Sequence, residues 1–475
     1  MSDFSVLLPS FPEQSFNILD FGAVAGGIVS NTAAINQAVT ACHTAGGGKV
    51  IIPAGIYLTG PITLLSNVNF HVERGALLMF DKNEKEYPVI RTDYEGQPRL
   101  RALSPIHAFD AENIAITGEG TIDGNGHLWR IVKHFKVSEK KWDALLKESN
   151  HVIPTNEGGI WFPTKSAYEG CLAGEPDVND PDAIKKAAPY YDYYRPVMVN
   201  LVRCDKVLIE GVTLQNSPAW NVHPLLCTNL TIRNASIRND WAAQNGDGLD
   251  LESCQFVEID NVKFDVGDDA ICMKSGKNAV ARVIPVPTKH VRIHDCVVYH
   301  GHGGFVVGSE MSRGVCDVTI SDCTFIGTDV GIRFKSAIGR GGVVEDITMR
   351  DINMVNIAED AIIFTMGYTL YHMDHQASDE PDQINADDIP EFKNITIQNV
   401  TCTRAGRALK VEGLEVLPIH DITLENVSIL AQKGYTINNA ENIRMKNVSI
   451  TNELNPSETI LFEDTILKSG DNSAF

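Results

Sequence analysis

The feature that most constrains this sequence is a repeat of short strands, each with the pattern apolar-x-apolar and each followed by Asn, Asp or Gly. The clearest strands begin at Val207, Leu230, Val257, Val291, Val318, Ile347, Ile395, Ile422 and Ile443, with earlier turns at Val68 and Ile114. Successive starts are mostly in the twenties of residues apart, and a second strand lies within each period. Several short strands per repeat, with Gly and Asn at the corners and hardly any helix, predict an all-β parallel β-helix.

The N-terminal region predicts a cap over one end of this solenoid. Residues from about 15 to 63 indicate a short strand, a Gly-rich loop, one helix and another strand. Thr32 is expected to cap the helix, and one helix face would carry Ile35, Ala38, Val39 and Cys42. Because a solenoid needs such a cap to shield its terminal core, we expect residues 1–475 to form a single domain.

Two insertions interrupt the repeat. The first insertion, about 127–196, is aromatic and partly basic, contains a helical pattern over 137–148, and carries Trp129, Trp142, Trp161, Phe162, Tyr190, Tyr191, Tyr193 and Tyr194. The second insertion, about 367–393, is acidic and contains Tyr368, Tyr371, His372 and His375. Loops on a rigid solenoid commonly select the ligand, so both insertions are candidate substrate contacts.

The repeat also predicts which polar side chains meet. When Ser253 is aligned with Ser275, the carboxylates of Asp247 and Asp269 fall in one column of the solenoid, with Asp268 beside them. A later segment places His302 in the column of Asp268. Because successive coils stack about 4.7 to 4.9 Å apart, residues in one column become neighbours in space.

A strand near residue 333 adds cations to the same patch. Ile332 and Phe334 alternate with Arg333 and Lys335, so the period of two places both cations on the face opposite the apolar pair. Lys335 also falls in the column of Lys274. Substrate binding is therefore expected from Arg333 and Lys335, which suit a carboxylate, together with Lys274 and Asn245.

Adjacent carboxylates favour a raised pKa on one of them, so that a protonated acid lies beside ionised partners. Such a set can perform general acid and base catalysis on a glycosidic bond. Two other uses remain open at this point. Asp and Asn residues cap β-helix corners throughout the chain, and three carboxylates can also bind Ca²⁺, although nearby cations would weaken that site.

Charge and cysteine content restrict the partners and the compartment. The net charge of −21 argues against nucleic acids and anionic membranes as partners, and a polyanionic substrate would need a local cationic patch. The ten cysteines follow the repeat, which predicts reduced structural thiols. The N-terminus has no basic region followed by a long apolar run, so we expect a cytoplasmic protein, or a secreted or periplasmic one if a signal has been removed.

Four segments carry a resemblance to a known family. In order and spacing, Asn245–Asp247, Gly267–Asp269, Gly301–Gly303 and Arg333–Lys335 resemble the four motifs of the family 28 glycoside hydrolases, the polygalacturonases. The resemblance extends from Phe21 in the cap to the last repeats and is most similar to bacterial exopolygalacturonases without signal peptides. Gly246 and Phe334 depart from the usual motif residues, and neither departure removes a functional group.

The resemblance implies a right-handed parallel β-helix that hydrolyses α-1,4-linked galacturonic acid with inversion and needs no metal or other cofactor. Asp268 would be the general acid, Asp247 and Asp269 would activate the water, and His302 would support the acid. Arg333 and Lys335 would bind a galacturonate carboxylate. The expected partner is therefore a galacturonic-acid-containing oligosaccharide or polysaccharide, and a homo-oligomer is also possible.

Exo action is expected because the first insertion could close one end of the groove. Three alternatives stay open: a rhamnogalacturonan or xylogalacturonan hydrolase, a calcium-dependent pectate lyase, and a carbohydrate-binding β-helix without catalysis. The coil spacing also disagrees with the inversion that the resemblance implies. Side chains one coil apart would be about 5 Å apart, which is typical of retention, whereas inversion usually leaves about 6.5 to 9.5 Å between the carboxyl groups.

Overall fold

Three parallel sheets, joined at three corners per coil, form the body of this protein in a computed structural model that describes residues 4–83, 85–368 and 384–475. The chain runs through sheet 1, sheet 2 and sheet 3 in turn and then starts the next coil one strand spacing away. The predicted all-β, right-handed parallel β-helix is confirmed.

Sheet 1 contains the predicted strand starts. Val207, Leu230 and Val257 pair in one column, which extends back to Val68 and forward to Ile443, as the repeat predicts. Its strands are Ser15–Asn17, Gly48–Ile52, Val68–Val72, Glu112–Gly118, Asp205–Glu210, Thr228–Arg233, Gln255–Asp260, Thr288–His294, and the first parts of the long strands Val315–Ile326, Val343–Val355, Glu391–Glu412, Ile419–Asn438 and Ala440–Asn452.

Sheets 2 and 3 complete each coil, and strands that bend around a corner contribute to more than one sheet. Sheet 2 contains Gly55–Thr59, Ala76–Phe80, Thr121–Asp123, Thr213–Gln215, Ser236–Arg238, Lys263–Asp265, Val297–His300 and the later parts of the long strands. Sheet 3 contains Ile62–Thr63, Ile106–Phe109, Val199–Val202, Val222–Leu225, Leu249–Glu252, Ile271–Lys274, Gly303–Val307, Val330–Lys335, Ile357–Thr365 and the last parts of Glu391–Glu412 and Ile419–Asn438.

The core is one continuous apolar cluster that runs from Ile18 in the cap to Leu467 near the C-terminus. It forms because each short strand turns alternate side chains inward, and coil after coil repeats the same inward positions. Ile271, Phe305 and Ile332, for example, pair in register on three successive coils and are fully buried. The positions between them face outward, which leaves the outer surface of sheet 3 for polar chemistry.

The corner between sheets 1 and 2 is held by an asparagine ladder, which we define as the column that includes Asn234, Asn261, Asp351, Asn399, Asn426 and Asn447. These residues adopt left-handed backbone conformations with φ between 50° and 57°. Side-chain amides join neighbouring coils, as in Asn261 Nδ2 to Asn234 Oδ1 at 2.8 Å and Asn426 Nδ2 to Asn399 Oδ1 at 3.1 Å. Asn tolerates this backbone conformation better than most residues, so it suits a repeated sharp corner.

The cap closes the N-terminal end, with one difference from the sequence-based expectation. Its helix spans Thr32–Thr44 and buries Ile35 and Val39 as predicted. Thr32 is the first helical residue instead of the cap, and the preceding Asn31 makes no side-chain capping bond. The Thr32 hydroxyl instead donates to Glu86 and accepts from the Gly60 N–H, both at 2.6 Å, because the cap is tied to the adjacent coil there.

The first insertion is a separately packed structure beside the solenoid. It contains helices Glu139–Glu148, Lys165–Ala173 and Ala183–Ala187, short 3₁₀ segments Gly126–Leu128, His134–Lys136 and Ala188–Tyr193, and a small antiparallel sheet of Val132–Lys133, Ile160–Trp161 and Val152–Ile153. The predicted helix over 137–148 is confirmed. Most of its aromatic residues, including Trp129, Trp161 and Phe162, are buried in small cores and hold the insertion together.

An antiparallel hairpin that the repeat did not predict leaves the solenoid before the first insertion. Its strands are Val89–Tyr94 and Gln97–Ala102, and its turn reaches Lys277, whose N–H donates to the Gly96 carbonyl at 2.8 Å. Lys277 lies on a later coil, so the hairpin crosses several coils of sheet 3. It packs on the first insertion through a small cluster that includes Leu100 and Tyr194.

The remaining elements close the other end and fill the loops. Thr459–Leu467 pairs antiparallel with Ala440–Asn452, and Asn472–Ser473 pairs with Ile419–Asn438. The 3₁₀ segments Ile18–Phe21 and Ala386–Asp388 and the helix Asn278–Arg282 lie in connections. No helix among the described residues has both the length and the apolar character needed to cross a bilayer. Of the second insertion, Tyr371, His372 and His375 lie outside the described residues.

All ten cysteines lie within the described residues, and none of them forms a disulfide bond there. Cys204, Cys227 and Cys254 stack on consecutive coils, and the Cys254 sulfur accepts a hydrogen bond from the Cys227 N–H at 3.4 Å. Burial is the largest cause of the raised pKa of the Cys42 thiol, which is about 11. Eight of the ten are buried and serve as small core side chains, which agrees with the prediction of structural thiols.

Candidate active site

The candidate site lies at the corner between sheets 2 and 3, where three consecutive coils each supply polar side chains. Leu249 pairs with Ile271, which places Asp247 beside Asp269 one coil away. The next coil pairs Ile271 with Phe305, and the His302 N–H donates to the Asp268 carbonyl at 2.8 Å. The register predicted from the sequence is confirmed, and Asp247, Asp268 and Asp269 form what we call the carboxylate triad.

The carboxylate triad is compact. One oxygen from each carboxylate lies within 4.8 Å of the others. Asp247 is 4% exposed and Asp269 is 2% exposed, while Asp268 is half-buried. The Oδ1 atoms of Asp247 and Asp269 have no hydrogen-bond partner among the described residues. These unpaired oxygens are available to accept hydrogen bonds from a water or a substrate in the groove.

The three carboxylates are not equivalent electrostatically. Burial, followed by the negative charges of Asp250 and Asp268, raises the pKa of Asp247 well above its usual range. Burial also acts to raise the pKa of Asp269, but the cations Lys335 and Arg333 outweigh it and lower that pKa. Lys335 places its ammonium 2.7 Å from Asp269 Oδ2. Protonation is therefore favoured at Asp247, whereas ionisation is favoured at Asp269.

This distribution differs in part from the sequence-based expectation. A raised pKa within the cluster was expected, and the structure places it on Asp247, whereas the resemblance assigns the general acid to Asp268. Asp247 is buried beside the negative charges of Asp250 and Asp268, which is the physical cause of its raised pKa, while the Asp268 side chain is half-buried.

The two predicted cations on Val330–Lys335 lie next to the triad and have different roles in its electrostatics. Lys335 is 6% exposed and neutralises Asp269. Arg333 is half-buried, and its Nε and Nη1 atoms are buried without a hydrogen-bond partner among the described residues. Its guanidinium lies 5.8 Å from the ring of Tyr368. Because unpaired buried donors are costly, Arg333 is poised to bind an anionic group that enters the groove.

Gly308 allows the Lys335 strand to come this close to its neighbour. It lies opposite Lys335 on the adjacent coil and has a φ of 89°. A Cβ atom at Gly308 would lie 2.1 Å from the Lys335 carbonyl oxygen. Any larger residue would push the Lys335 strand away, and the distance between Lys335 and Asp269 depends on that strand.

His302 is held by a residue that the sequence analysis missed. Its Nδ1 lies 2.7 Å from Asp329 Oδ2, on the next coil of the same column. Burial raises the pKa of Asp329, but the hydrogen bond and charge of His302, with smaller contributions from His300 and Lys136, lower it overall. Asp329 is therefore a charged acceptor that fixes the His302 ring and leaves Nε2 free to act in the groove. Aligning the Arg333 strand with the His302 strand would have revealed this pairing.

The other two predicted binding residues have protein partners. Asn245 Oδ1 accepts a hydrogen bond from Arg195 Nη2 at 2.8 Å. Lys274 is 4% exposed, with its ammonium 2.7 Å from Glu310 Oε2 and 4.8 Å from the centre of the Trp220 ring. Both residues stay candidates for substrate contact. In this structure Lys274 balances buried acids beneath the groove floor.

The hairpin and the first insertion both pack beside the candidate site. Tyr94 of the hairpin packs on Trp220, with ring centroids 4.5 Å apart. Arg195, at the end of the first insertion, is half-buried and contacts the loop that carries Asn245. From the same insertion, Lys136 Nζ donates to the Gly267 carbonyl at 3.3 Å. These contacts place the first insertion against the loops that carry Asn245 and Gly267, with the hairpin packed on Trp220.

Comparisons with known proteins agree with this geometry. The sequence is 28% identical over 431 residues to a probable polygalacturonase of Vitis vinifera, covering 88% of this chain and 75% of that one. It is 29% identical over 410 residues to an exo-poly-alpha-D-galacturonosidase of Dickeya chrysanthemi, covering 84% of this chain and 64% of the relative, so part of that relative has no counterpart here.

A solved structure and a family model complete the comparison. The crystal structure of an exopolygalacturonase from Thermotoga maritima matches with a TM-score of 0.79 and 29% identity, covering 99% of this chain and 97% of that chain. The model of glycosyl hydrolases family 28 matches residues 184–453, which include every residue of the carboxylate triad and both cations. This match spans more than half of the sequence, and the chain belongs to glycosyl hydrolase family 28.

Proposed function

We propose that this protein is an exo-acting polygalacturonase that hydrolyses α-1,4-galacturonosyl linkages with inversion. The observation that carries the proposal is the carboxylate triad beside Arg333, whose buried Nε and Nη1 have no partner among the described residues. Carboxylates at this spacing supply the acid and base that hydrolysis needs, and an unpaired guanidinium supplies the fork that a uronic acid carboxylate fits. The names of the Dickeya and Thermotoga relatives support the same substrate and the exo mode.

In this mechanism, Asp268 on the open side of the corner donates a proton to the glycosidic oxygen as the bond to the anomeric carbon breaks. A water attacks that carbon from the opposite face and passes its proton to Asp269, whose pKa is lowered by Lys335 and Arg333 against the effect of burial. Asp247, whose pKa burial raises, orients the water. His302, fixed by Asp329, supports the charge of Asp268.

Arg333 and Lys335 would receive the carboxylate of the sugar on the leaving side of the bond. Lys335 already neutralises Asp269 at 2.7 Å, so the substrate carboxylate relies mainly on the free donors of Arg333. Charge-assisted bonds of this kind are among the stronger polar contacts in proteins. They also overcome, at short range, the repulsion between a net charge of −21 and a polyanionic substrate.

Exo action follows from the closed end of the groove. The hairpin turn reaches Lys277, Tyr94 packs on Trp220, and Arg195 holds the loop before Asp247. A polymer cannot continue through this wall, so only a chain end can reach the triad from that side. The sequence indicated only the first insertion as a wall of the groove, and in this proposal the hairpin contributes to the wall as well.

The test is incubation with polygalacturonate and with defined oligogalacturonates, followed by chromatographic separation of the products. Steady release of monogalacturonate or digalacturonate is expected, and an early mixture of intermediate oligomers would contradict exo action. Nuclear magnetic resonance of the fresh product should show the β-anomer, because inversion converts the α-linkage, and an α-anomer would instead indicate retention. The Asp268→Asn variant, prepared in the same way, serves as the inactive control.

The alternatives are less well supported. Family 28 membership favours hydrolysis over a calcium-dependent lyase and over a non-catalytic binding module, and the relatives named here favour polygalacturonate over other pectic polymers. A lyase product would absorb ultraviolet light and its formation would stop with a chelator. For the compartment, ten cysteines without a disulfide among the described residues support a reducing cytoplasm, which cell fractionation would test.

A further inference from the structure

Trp241 is unlike the other tryptophans of this protein. Its side chain is 60% exposed, whereas Trp129, Trp142, Trp161 and Trp220 are between 1% and 7% exposed, and these five are all the tryptophans in the sequence. An exposed indole leaves a large apolar surface in water and gains little from packing. A fold that buries four tryptophans has no structural need to present the fifth.

The exposed indole is nevertheless held rigidly. One face stacks on the His300 ring, with centroids 4.1 Å apart and planes 5° from parallel. The indole Nε1 donates to Asp265 Oδ1 at 2.7 Å, and His300 is fixed in turn by a 2.6 Å bond between Nδ1 and the Val266 carbonyl. The opposite face of Trp241 therefore points away from the protein in a fixed orientation. A preorganised aromatic surface loses little entropy when a ligand packs on it.

This platform stands beside the carboxylate triad. Asp265 and His300, which hold the indole, precede Asp268 and His302 by three and two residues, at the same corner between sheets 2 and 3. The loop that carries Trp241 packs closely on the motif glycine Gly267, where a Cβ atom would lie 2.4 Å from the Asp240 carbonyl oxygen. Two residues of extended chain span at most about 7 Å, so the platform is adjacent to the groove.

A cation lies next to the platform. Lys136 of the first insertion donates from Nζ to the Gly267 carbonyl at 3.3 Å. An ammonium has three donors, so two remain for another acceptor. The apolar face of a sugar ring packs well on an aromatic face, and a carboxylate on the same ring would find an ammonium at its edge. Together the two side chains match a uronic acid better than a neutral sugar.

We propose that the free face of Trp241 is a stacking platform for a galacturonosyl ring of the substrate bound beside the carboxylate triad, with Lys136 contacting the carboxylate of that ring. The proposal rests on the proposed function and deepens it, since it names a second recognition point for the same substrate. It is formed by elements other than the strand Val330–Lys335 that carries Arg333.

The experiment uses the full chain carrying Asp268→Asn, so that tetragalacturonate binds without being consumed. Acrylamide quenching of tryptophan fluorescence reports mainly on Trp241, because the other four indoles are buried. Tetragalacturonate should reduce the quenching, and Trp241→Phe should remove the quenchable component from the free protein. Isothermal titration calorimetry on the same samples measures binding independently of the fluorescence.

Variants separate the two contacts. Trp241→Ala should weaken tetragalacturonate binding roughly 5- to 10-fold, the range expected for one lost aromatic contact, whereas Trp241→Phe should keep most of the affinity. In the otherwise unmodified enzyme, the same changes should raise KM and leave kcat within about 2-fold. Lys136→Ala should weaken binding of tetragalacturonate more than binding of its methyl ester, and Lys140→Ala, an exposed lysine of the same insertion, is its matched control.

The outcomes distinguish this proposal from the proposed function. If calorimetry shows tetragalacturonate binding while the quenching of Trp241 and the affinity of Trp241→Ala are unchanged, the platform is overturned and the proposed function stands. If tetragalacturonate does not bind at all, both are overturned. Protection of Trp241 together with weaker binding by Trp241→Ala supports both. Because the indole is exposed, loss of its packing is not expected to unfold the protein, and circular dichroism checks this directly.

Discussion

Two corners of the same β-helix carry columns of Asp and Asn residues, and they differ in how those side chains are satisfied. On the asparagine ladder, side-chain amides donate to the side chains of neighbouring coils, as in Asn399 to Asp351 at 2.9 Å and Asn447 to Asn426 at 2.8 Å. At the carboxylate triad, Oδ1 of Asp247 and of Asp269 is buried and has no partner in the part of the chain that the structure describes. The first corner satisfies its polar groups with one another, whereas the second keeps them available.

The comparison shows what distinguishes a structural column from a catalytic one in a repeated fold. Both columns use the coil spacing to bring distant residues together. The ladder gains hydrogen bonds from that proximity and is exposed to water. The triad instead places acids close together in a buried position, which is unfavourable unless cations or protons compensate. A column of buried side chains that destabilises the fold and gains no hydrogen bonds from its neighbours is a candidate functional site.

The largest expected effect tests this distinction directly. Asp268→Asn should lower kcat roughly 10²- to 10⁴-fold, because the amide cannot donate the proton that the leaving oxygen needs. Its melting temperature should stay close to that of the unmodified protein, since Asp268 is half-buried. The matched control on the other corner is Asn426→Gly, which keeps the left-handed backbone and should leave kcat unchanged. Hydrolysis rates on trigalacturonate measure both variants. Equal decreases in kcat would contradict the distinction between a catalytic and a structural column.

The next effect concerns the unpaired guanidinium. Arg333→Ala should raise KM for trigalacturonate by a factor that corresponds to about 2 to 4 kcal/mol, because a buried charge-assisted contact to the sugar carboxylate is lost. Steady-state kinetics on the acid and on its methyl ester provide the measurement. The ester should be affected much less, and an equal loss on both substrates would show that Arg333 does not bind the carboxylate.

A smaller effect is expected at Asp329. Asp329→Asn keeps an acceptor for the Nδ1–H of His302 and removes the negative charge, so kcat should fall roughly 10-fold while KM changes little. The melting temperature should change little, because the amide keeps the hydrogen bond to the ring. A purely structural role for Asp329 would instead lower the melting temperature and leave kcat unchanged.

The smallest effect distinguishes the buried acids of the triad by the sign of their pH dependence. The folded-state pKa of Asp247 is raised, so its contribution to stability is present below the unfolded pKa and is lost as the pH rises toward the folded pKa. In Asp247→Asn this loss of stability with rising pH is absent, because the amide does not ionise. The melting temperature of the variant relative to the unmodified protein should therefore increase between pH 4 and pH 8, by on the order of 2 °C.

Asp269 should behave in the opposite way. Its folded-state pKa is lowered, so its stabilising contribution is present above the unfolded pKa and is lost as the pH falls through the folded value. Asp269→Asn should consequently lower the melting temperature at pH 7 and have less effect at low pH. Differential scanning calorimetry of both variants across this range provides the measurement, and shifts of the same sign would contradict the assigned protonation states.

Much of the fold could be predicted from the sequence because the repeat itself contains the register. Matching Ser253 to Ser275 placed Asp247 beside Asp269, and the apolar alternation around Phe334 placed Arg333 outward, as the structure has them. The hairpin could not be found in this way, since Val89–Tyr94 and Gln97–Ala102 lie outside the repeat and pack on the first insertion. The burial of Lys274 and the raised pKa of Asp247 depend on side chains from several coils, which a pairwise register does not describe.

The coil between Asp269 and His302 is longer than its neighbours because it accommodates the helix Asn278–Arg282, yet the pairing of Ile271 with Phe305 is undisturbed. Extra residues at a connection leave the strands in phase, whereas a single residue gained or lost inside a strand would turn its side chains to the other face. Natural length changes in this architecture should therefore accumulate at the connections, where they can reshape the walls around the substrate while the reacting atoms keep their positions.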